Sequence, residues 1–192
     1  VNIENDHILL MPRLETERTI LRKISLEDAA DMFEYCSDDE VSQYTTWNSH
    51  QSIEDTRAFI QYILNKYDQQ QLAPWGIEDK ATGKFIGSCG YVDWVPNHAR
   101  GELAYALSRS YWNRGYMTEI VKRLIEIGFE KMGLVRIEAR CLTANIGSAR
   151  VMEKSGLIYE GTMSKVVFCK GAHHDLKLYA LVKDNQDLFD LH

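Results

Sequence analysis

Apolar residues recur at helical spacing from Tyr116 to Met132, and just before them Glu102-Leu103-Ala104-Tyr105-Ala106-Leu107 alternates as a half-buried strand does. The stretch Tyr111-Trp112-Asn113-Arg114-Gly115-Tyr116-Met117-Thr118-Glu119 is then a strand-to-helix turn with Gly115 at its tip. A turn of this kind leaves the first backbone N–H groups of the helix without internal partners, at the positive end of the helix dipole. That makes a cradle for a phosphate or pyrophosphate. Glycine is also the default wherever φ must be positive, so the turn alone identifies no ligand.

The rest of the pattern predicts a chain of mixed α and β elements. Thr19 to Ile24 reads as a first strand, and Ser25-Leu26-Glu27-Asp28 as a capping box with a short carboxylate, opening a helix whose face is Leu26, Ala29, Ala30, Met32 and Phe33. Ser37 to Gln51 is polar and irregular, and Ser52-Ile53-Glu54-Asp55 opens a second helix running to about Asp68. Ala73 to Glu78 and Lys84 to Val92 read as strands joined by a hairpin loop ending at Gly83, and Pro96-Asn97 marks the next turn. Val135 to Leu142 is a strand, and Asn145 to Ser155 is a short helix closed by Gly156. Ile158 to Cys169 and His174 to Val182 form a final hairpin around Lys170-Gly171. Residues 1–15 form an N-terminal arm and 185–192 a C-terminal tail; with no internal repeat or linker, 1–192 reads as one domain.

Composition removes several function classes. The 192 residues are 45% hydrophobic and 26% charged, as in a soluble globular protein with a substantial core. A net charge of −6 argues against a nucleic-acid surface. No apolar run approaches the ~20 residues of a membrane span, and Glu4, Asp6 and His7 rule out a secretory signal at the start of this sequence. Cys36, Cys89, Cys141 and Cys169 are scattered without a C-x-x-C spacing and read as reduced residues of a cytoplasmic protein. His173-His174-Asp175 makes a poor metal pair, because adjacent strand residues face opposite ways; no metal is expected. Neither a Walker P-loop nor a G-x-G-x-x-G fingerprint is present.

Four stretches together carry a family resemblance. They are Leu14-Glu15-Thr16-Glu17-Arg18-Thr19-Ile20-Leu21-Arg22, the strand and turn from Glu102 to Glu119, Asn145-Ile146-Gly147-Ser148-Ala149-Arg150-Val151-Met152-Glu153-Lys154-Ser155-Gly156-Leu157, and the pair Glu160-Gly161 that follows. In these the chain resembles the GNAT superfamily of acetyl-CoA-dependent N-acetyltransferases, in the branch similar to the ribosomal-protein N-terminal acetyltransferases. The resemblance implies an α+β (mixed α/β) fold, with a mostly antiparallel twisted sheet of about seven strands flanked by about four helices. It implies acetyl-CoA as co-substrate, held by Leu107, Ser108, Asn113, Arg114, Gly115, Tyr116, Met117, Thr118, Asn145 and Ser148. The family's loop commonly begins with Gln or Arg and then Gly, where this chain has Trp112 and Asn113, and its last position is usually small, where this chain has Met117. Backbone donors tolerate these departures.

The implied reaction moves an acetyl group from a thioester to an amine. The amine must first lose a proton, and charge developing on the thioester oxygen must be stabilised. Strand alternation sets Glu102 among the small residues Ala104 and Ala106 on one face, as in a lined cleft, and makes Glu102 the candidate base. It also fits a strand glutamate paired with Arg100. Some members of the branch carry a further Glu where this chain has about Val167, and its absence here shifts weight to Glu102. The resemblance makes Ser148 the candidate acid, with Tyr159 the runner-up from more distant relatives, although Tyr159 also reads as core. Asn145 reads equally as a cofactor contact and a helix N-cap. Tyr44, Trp47, Trp75 and Trp94 come from regions that wall the acceptor site in this fold, and each also reads as packing. The expected acceptor is a peptide or protein N-terminus or a small amine such as a polyamine, acted on by a monomer or homodimer. The alternatives are a non-catalytic acyl-CoA-binding module, if Glu102 is locked in a salt bridge and no acceptor channel exists, and a nucleotide-binding protein, which the missing lysine and metal ligands disfavour.

Overall fold

The computed structural model describes residues 5–183; the expected C-terminal tail, 185–192, lies outside them. Its strands are β1 (Leu14–Glu15), β2 (Thr19–Arg22), β3 (Trp75–Asp79), β4 (Phe85–Val95), β5 (Arg100–Leu107), β6 (Arg136–Leu142), β7 (Ile158–Cys169) and β8 (Ala172–Val182). The α-helices are α1 (Ala29–Cys36), α2 (Asp39–Ser42), α3 (Ile53–Asp68), α4 (Tyr116–Lys131) and α5 (Ile146–Lys154). All eight strands join one sheet in the order β1-β2-β3-β4-β5-β6-β8-β7. Every neighbouring pair is antiparallel except β5 and β6, which α4 connects as a crossover.

Local signals account for most of these boundaries. Ser52 caps α3 by accepting from the Asp55 N–H, while the Asp55 carboxylate accepts from the Ser52 N–H at 2.9 Å. The short carboxylate after Ser25 also serves: Asp28 accepts from the Ser25 N–H at 2.8 Å and takes a bidentate pair from Arg22 at 2.8 and 2.9 Å. A 3-10 turn over Leu26–Asp28 therefore precedes α1 proper. Two departures from expectation are small. The sheet gains an eighth strand because Leu14 and Glu15 of the expected arm pair with Leu21 and Ile20. A fifth helix, α2, forms inside the segment read as irregular, where the Asp38 side chain caps it through the Glu40 N–H.

The core lies between the sheet and its helices, with Leu21, Ile77, Ile86, Ile120, Leu124 and Ile137 fully buried. Gly128 marks the tightest approach of α4 to the sheet. A Cβ there would collide with the Tyr91 hydroxyl, and would sit 2.8 Å from Ile137 Cδ1. That hydroxyl is buried and donates to the Leu124 carbonyl at 2.9 Å. Gly128→Ala is expected to destabilise the fold by about 2 kcal/mol despite alanine's better helix propensity, because overpacking a core costs ~1–3 kcal/mol. Urea unfolding of the two proteins measures it.

Candidate active site

Parallel pairing of β5 with β6 runs from Arg100 and Arg136 to Leu103 and Ala139 and then stops, although β5 continues to Leu107 and β6 to Leu142. A cleft of about 630 Å³ occupies this part of the sheet. Ala104, Tyr105 and Ala106 of β5 line one side, and Arg140, Cys141 and Leu142 of β6 the other. Backbone groups of the unpaired strand ends are thereby free to bind something other than each other.

Next to the end of β5 lies the turn into α4. Gly115 is the N-cap of α4 with φ +79°, and Asn113 is also left-handed at φ +58°. No hydrogen bond reaches the backbone N–H of any residue from Asn113 to Thr118 among the described residues. These donors sit at the N-terminus of a 16-residue helix, so the site suits a phosphate-bearing group. The departures at Trp112, Asn113 and Met117 now have physical accounts. The Trp112 indole N–H donates to the Leu107 carbonyl at 2.8 Å, tying the loop to the strand end. Asn113 is among the residues that tolerate the left-handed region. Met117 is buried in the core, leaving its backbone to the loop.

The loop is braced from outside by Arg18. Its Nε donates to Glu119 Oε2 at 2.7 Å, its backbone N–H to Glu119 Oε1 at 2.8 Å and its Nη1 to the Arg114 carbonyl at 2.9 Å. Its guanidinium also lies 4.1 Å over the Tyr116 ring, a cation–π contact. Burial alone would raise the Glu119 pKa, but the bonds from Thr16 and Arg18 outweigh it and hold the carboxyl below its ordinary value. Tyr116 is anchored at its far end, donating to buried Asp79 at 3.1 Å.

Glu102 and Ser148 both line the cleft. Glu102 accepts two bonds from Arg140, Nε at 2.8 Å and Nη2 at 2.5 Å. The expected partner Arg100 instead pairs with Asp93 at 3.3 Å and Glu138 at 3.8 Å. Register explains the difference: Glu102 lies opposite Glu138, and Arg140 is the diagonal neighbour on the same face. The hydrogen bonds that it donates to Glu102 hold the Arg140 guanidinium above its ordinary value, against its partial burial. The Ser148 hydroxyl lies 3.0 Å from the Tyr105 hydroxyl, whose pKa burial pushes up. The Asn145 side chain caps α5 by accepting from the Ser148 N–H at 3.0 Å. Its Oδ1 has that role while its NH₂ stays available.

Of the expected acceptor residues, Tyr44 and Trp47 line the cleft. Trp75 does not: it is 2% exposed, and its indole donates to the Pro12 carbonyl at 2.8 Å, so it is core. Trp94 is also away from the cleft, and its indole N–H is buried without a partner among the described residues. Tyr159 is 49% exposed and donates to or accepts from Thr162 at 2.8 Å, outside both core and cleft. Val167 lines the cleft. His173 packs edge-on against Phe168, while His174 Nε2 lies 3.2 Å from the Cys169 carbonyl. Sequence alone does not distinguish Arg18, Tyr105, Lys66 and Arg140: Arg18 stands in the first motif and Tyr105 in the alternating strand, while no local pattern marks Lys66 or Arg140.

A family model for the acetyltransferase (GNAT) domain matches residues 18–158. The protein YoaA of Bacillus subtilis, named as an uncharacterized N-acetyltransferase, is 33% identical over 92% of this chain and 100% of its own length. The ribosomal-protein-serine acetyltransferase of Escherichia coli is 28% identical over 71% of this chain and 75% of its own. Among solved structures, the microcin C7 self-immunity acetyltransferase MccE in complex with acetyl-CoA and AMP has the same fold, with a TM-score of 0.78 over 87% of this chain and 93% of that one at 19% identity.

Proposed function

The chain belongs to the GNAT family and is an acetyl-CoA-dependent N-acetyltransferase, and on that premise we propose how its residues divide the work. The N–H groups from Asn113 to Thr118 bind the pyrophosphate, with Arg114 and Tyr116 framing the loop, while Leu107 and Ser108 at the end of β5 and Asn145 on α5 hold the chain that leads to the thioester. The thioester lies where β5 and β6 part, and Glu102 and Ser148 line that opening. The observation that carries this is the cleft itself, which begins where parallel pairing ends and is lined by both residues.

The acceptor ammonium gives one proton, through a water, to Glu102. The free amine attacks the thioester carbon in a ternary complex, an N–C bond forms and the C–S bond breaks. The nitrogen's second surplus proton leaves as the amide forms, and the sulfur takes one up. A carboxylate offers about four acceptor sites, so the two bonds from Arg140 leave room for that water. Ser148 donates a hydrogen bond to the departing sulfur, and Tyr105 orients it. A thiolate with a pKa near 8.5 needs little more than that donor. Ser148→Ala is expected to lower kcat by about tenfold, the worth of one hydrogen bond to a charged group, with CoA affinity nearly unchanged. Thiol release under saturating acetyl-CoA measures it, and an unaltered kcat removes Ser148 from the chemistry.

A non-catalytic acyl-CoA-binding module meets one of its two conditions, the pairing of Glu102 with Arg140, but fails the other, because an open cleft adjoins the pair. We further propose one domain acting in the cytoplasm as a monomer or homodimer, with no nucleic-acid, membrane or metal partner. The net charge of −6 and four free, buried cysteines support this. No helix among the described residues is long and apolar enough to cross a membrane.

A further inference from the structure

Beyond the transfer point, the cleft is walled by Tyr44, Trp47, Phe59 and Tyr62 together with Thr45, Thr46 and aliphatic side chains. Among the described residues, three charged ones line it: Lys66, Glu102 and Arg140. Both oxygens of Glu102 face Arg140, so this carboxylate is already paired. The Lys66 ammonium donates one bond, to the Leu72 carbonyl at 3.3 Å, and lies 5.0 Å from the Tyr62 ring centre. An ammonium has three donors, so two remain for a ligand. In a protein of net charge −6, this cleft carries two cations and one anion.

We infer that the acceptor is a monoamine on an aromatic or apolar body that also bears an anionic group, which Lys66 binds. This rests on the acetyl-transfer assignment above and sharpens its acceptor. The aromatic walls remove such a body from water, and stacking on aromatic faces favours another ring. Lys66 repels a second ammonium and attracts a carboxylate, and among the described residues no unpaired carboxylate lines the cleft to hold a polyamine's additional charges. A polyamine acceptor is therefore disfavoured, because the charge that matters is local.

The test measures kcat/KM by thiol release for phenylalanine, phenethylamine and spermidine at saturating acetyl-CoA. Phenylalanine is expected to exceed phenethylamine, and both to exceed spermidine by about tenfold or more, the scale of one unpaired charge in a site. Lys66→Met is expected to reduce the phenylalanine-to-phenethylamine ratio by about tenfold, and Lys66→Arg to retain most of it. Spermidine matching the monoamines overturns the inference, as does a ratio unmoved by Lys66→Met. Thiol release accelerated by none of the three also overturns it. Calorimetry with acetyl-CoA then separates the failures, since binding without turnover condemns the acceptor class, and absence of binding condemns the cofactor assignment as well.

Discussion

Gly115→Val is expected to weaken acetyl-CoA binding by about tenfold or more while leaving the fold intact. Gly115 sits at φ +79°, where an L-residue costs ~1–2 kcal/mol, about 5- to 30-fold in an equilibrium constant. Space is not the obstacle: a Cβ there would find its nearest neighbour, Arg18 Nη2, at an ordinary 3.5 Å. The valine chain relieves its strain by rotating the peptide planes on either side, and those planes carry the N–H groups proposed to bind the pyrophosphate. β-branching adds to the strain. Titration calorimetry with CoA measures the loss. An unchanged affinity places the pyrophosphate elsewhere. Thermal melts of the unliganded proteins show whether the variant is folded.

Glu102→Gln is expected to lower kcat/KM for the amine by about 100-fold, the lower end of general-base contributions, and to leave CoA affinity within about twofold. The side chain keeps its size and one acceptor oxygen, so Arg140 retains a partner, but the amide cannot take a proton. The deficit is expected to be largest at and below neutral pH, where the acceptor is almost wholly ammonium, and to shrink as pH approaches the amine's own pKa. A deficit independent of pH points to lost positioning of Arg140 instead. Full turnover in the variant excludes Glu102 from the mechanism.

The sequence shows the outline of the candidate site more fully than its wiring. Gly115, the motif from Asn145 to Gly156 and the alternation around Glu102 are all contiguous patterns, and each sits in the element its pattern predicted: the N-cap of α4, α5 and β5. The partner of Glu102 is not contiguous. Spacing along the strand offers Arg100, two residues away, but the register of β5 on β6 selects Arg140, 38 residues away. Trp75 illustrates the opposite difficulty, since tryptophans of a core and of a substrate wall look alike in a chain. Only the strand's place between β2 and β4 buries it. The short strand β1 escaped notice because two residues make no periodicity, and pairing with β2 is what defines it.

What the sequence determined by itself is therefore the elements other than β1 and α2, most of their caps and the backbone cradle at Gly115. These arise from interactions within three or four residues: helical spacing, Ser52 with Asp55, and a glycine free to adopt positive φ. The tertiary structure decided the parting of β5 from β6 and the pairing of Glu102 with Arg140. It also decided the brace from Arg18 to Glu119 across 101 positions and the net positive charge of the side chains lining the cleft. The first two depend on which strands are neighbours and in what register, and the brace and the cleft charge on where helices α4 and α3 lie beside the sheet. Side chains there meet through hydrogen-bonded ladders between distant segments, and no local spacing encodes such a meeting.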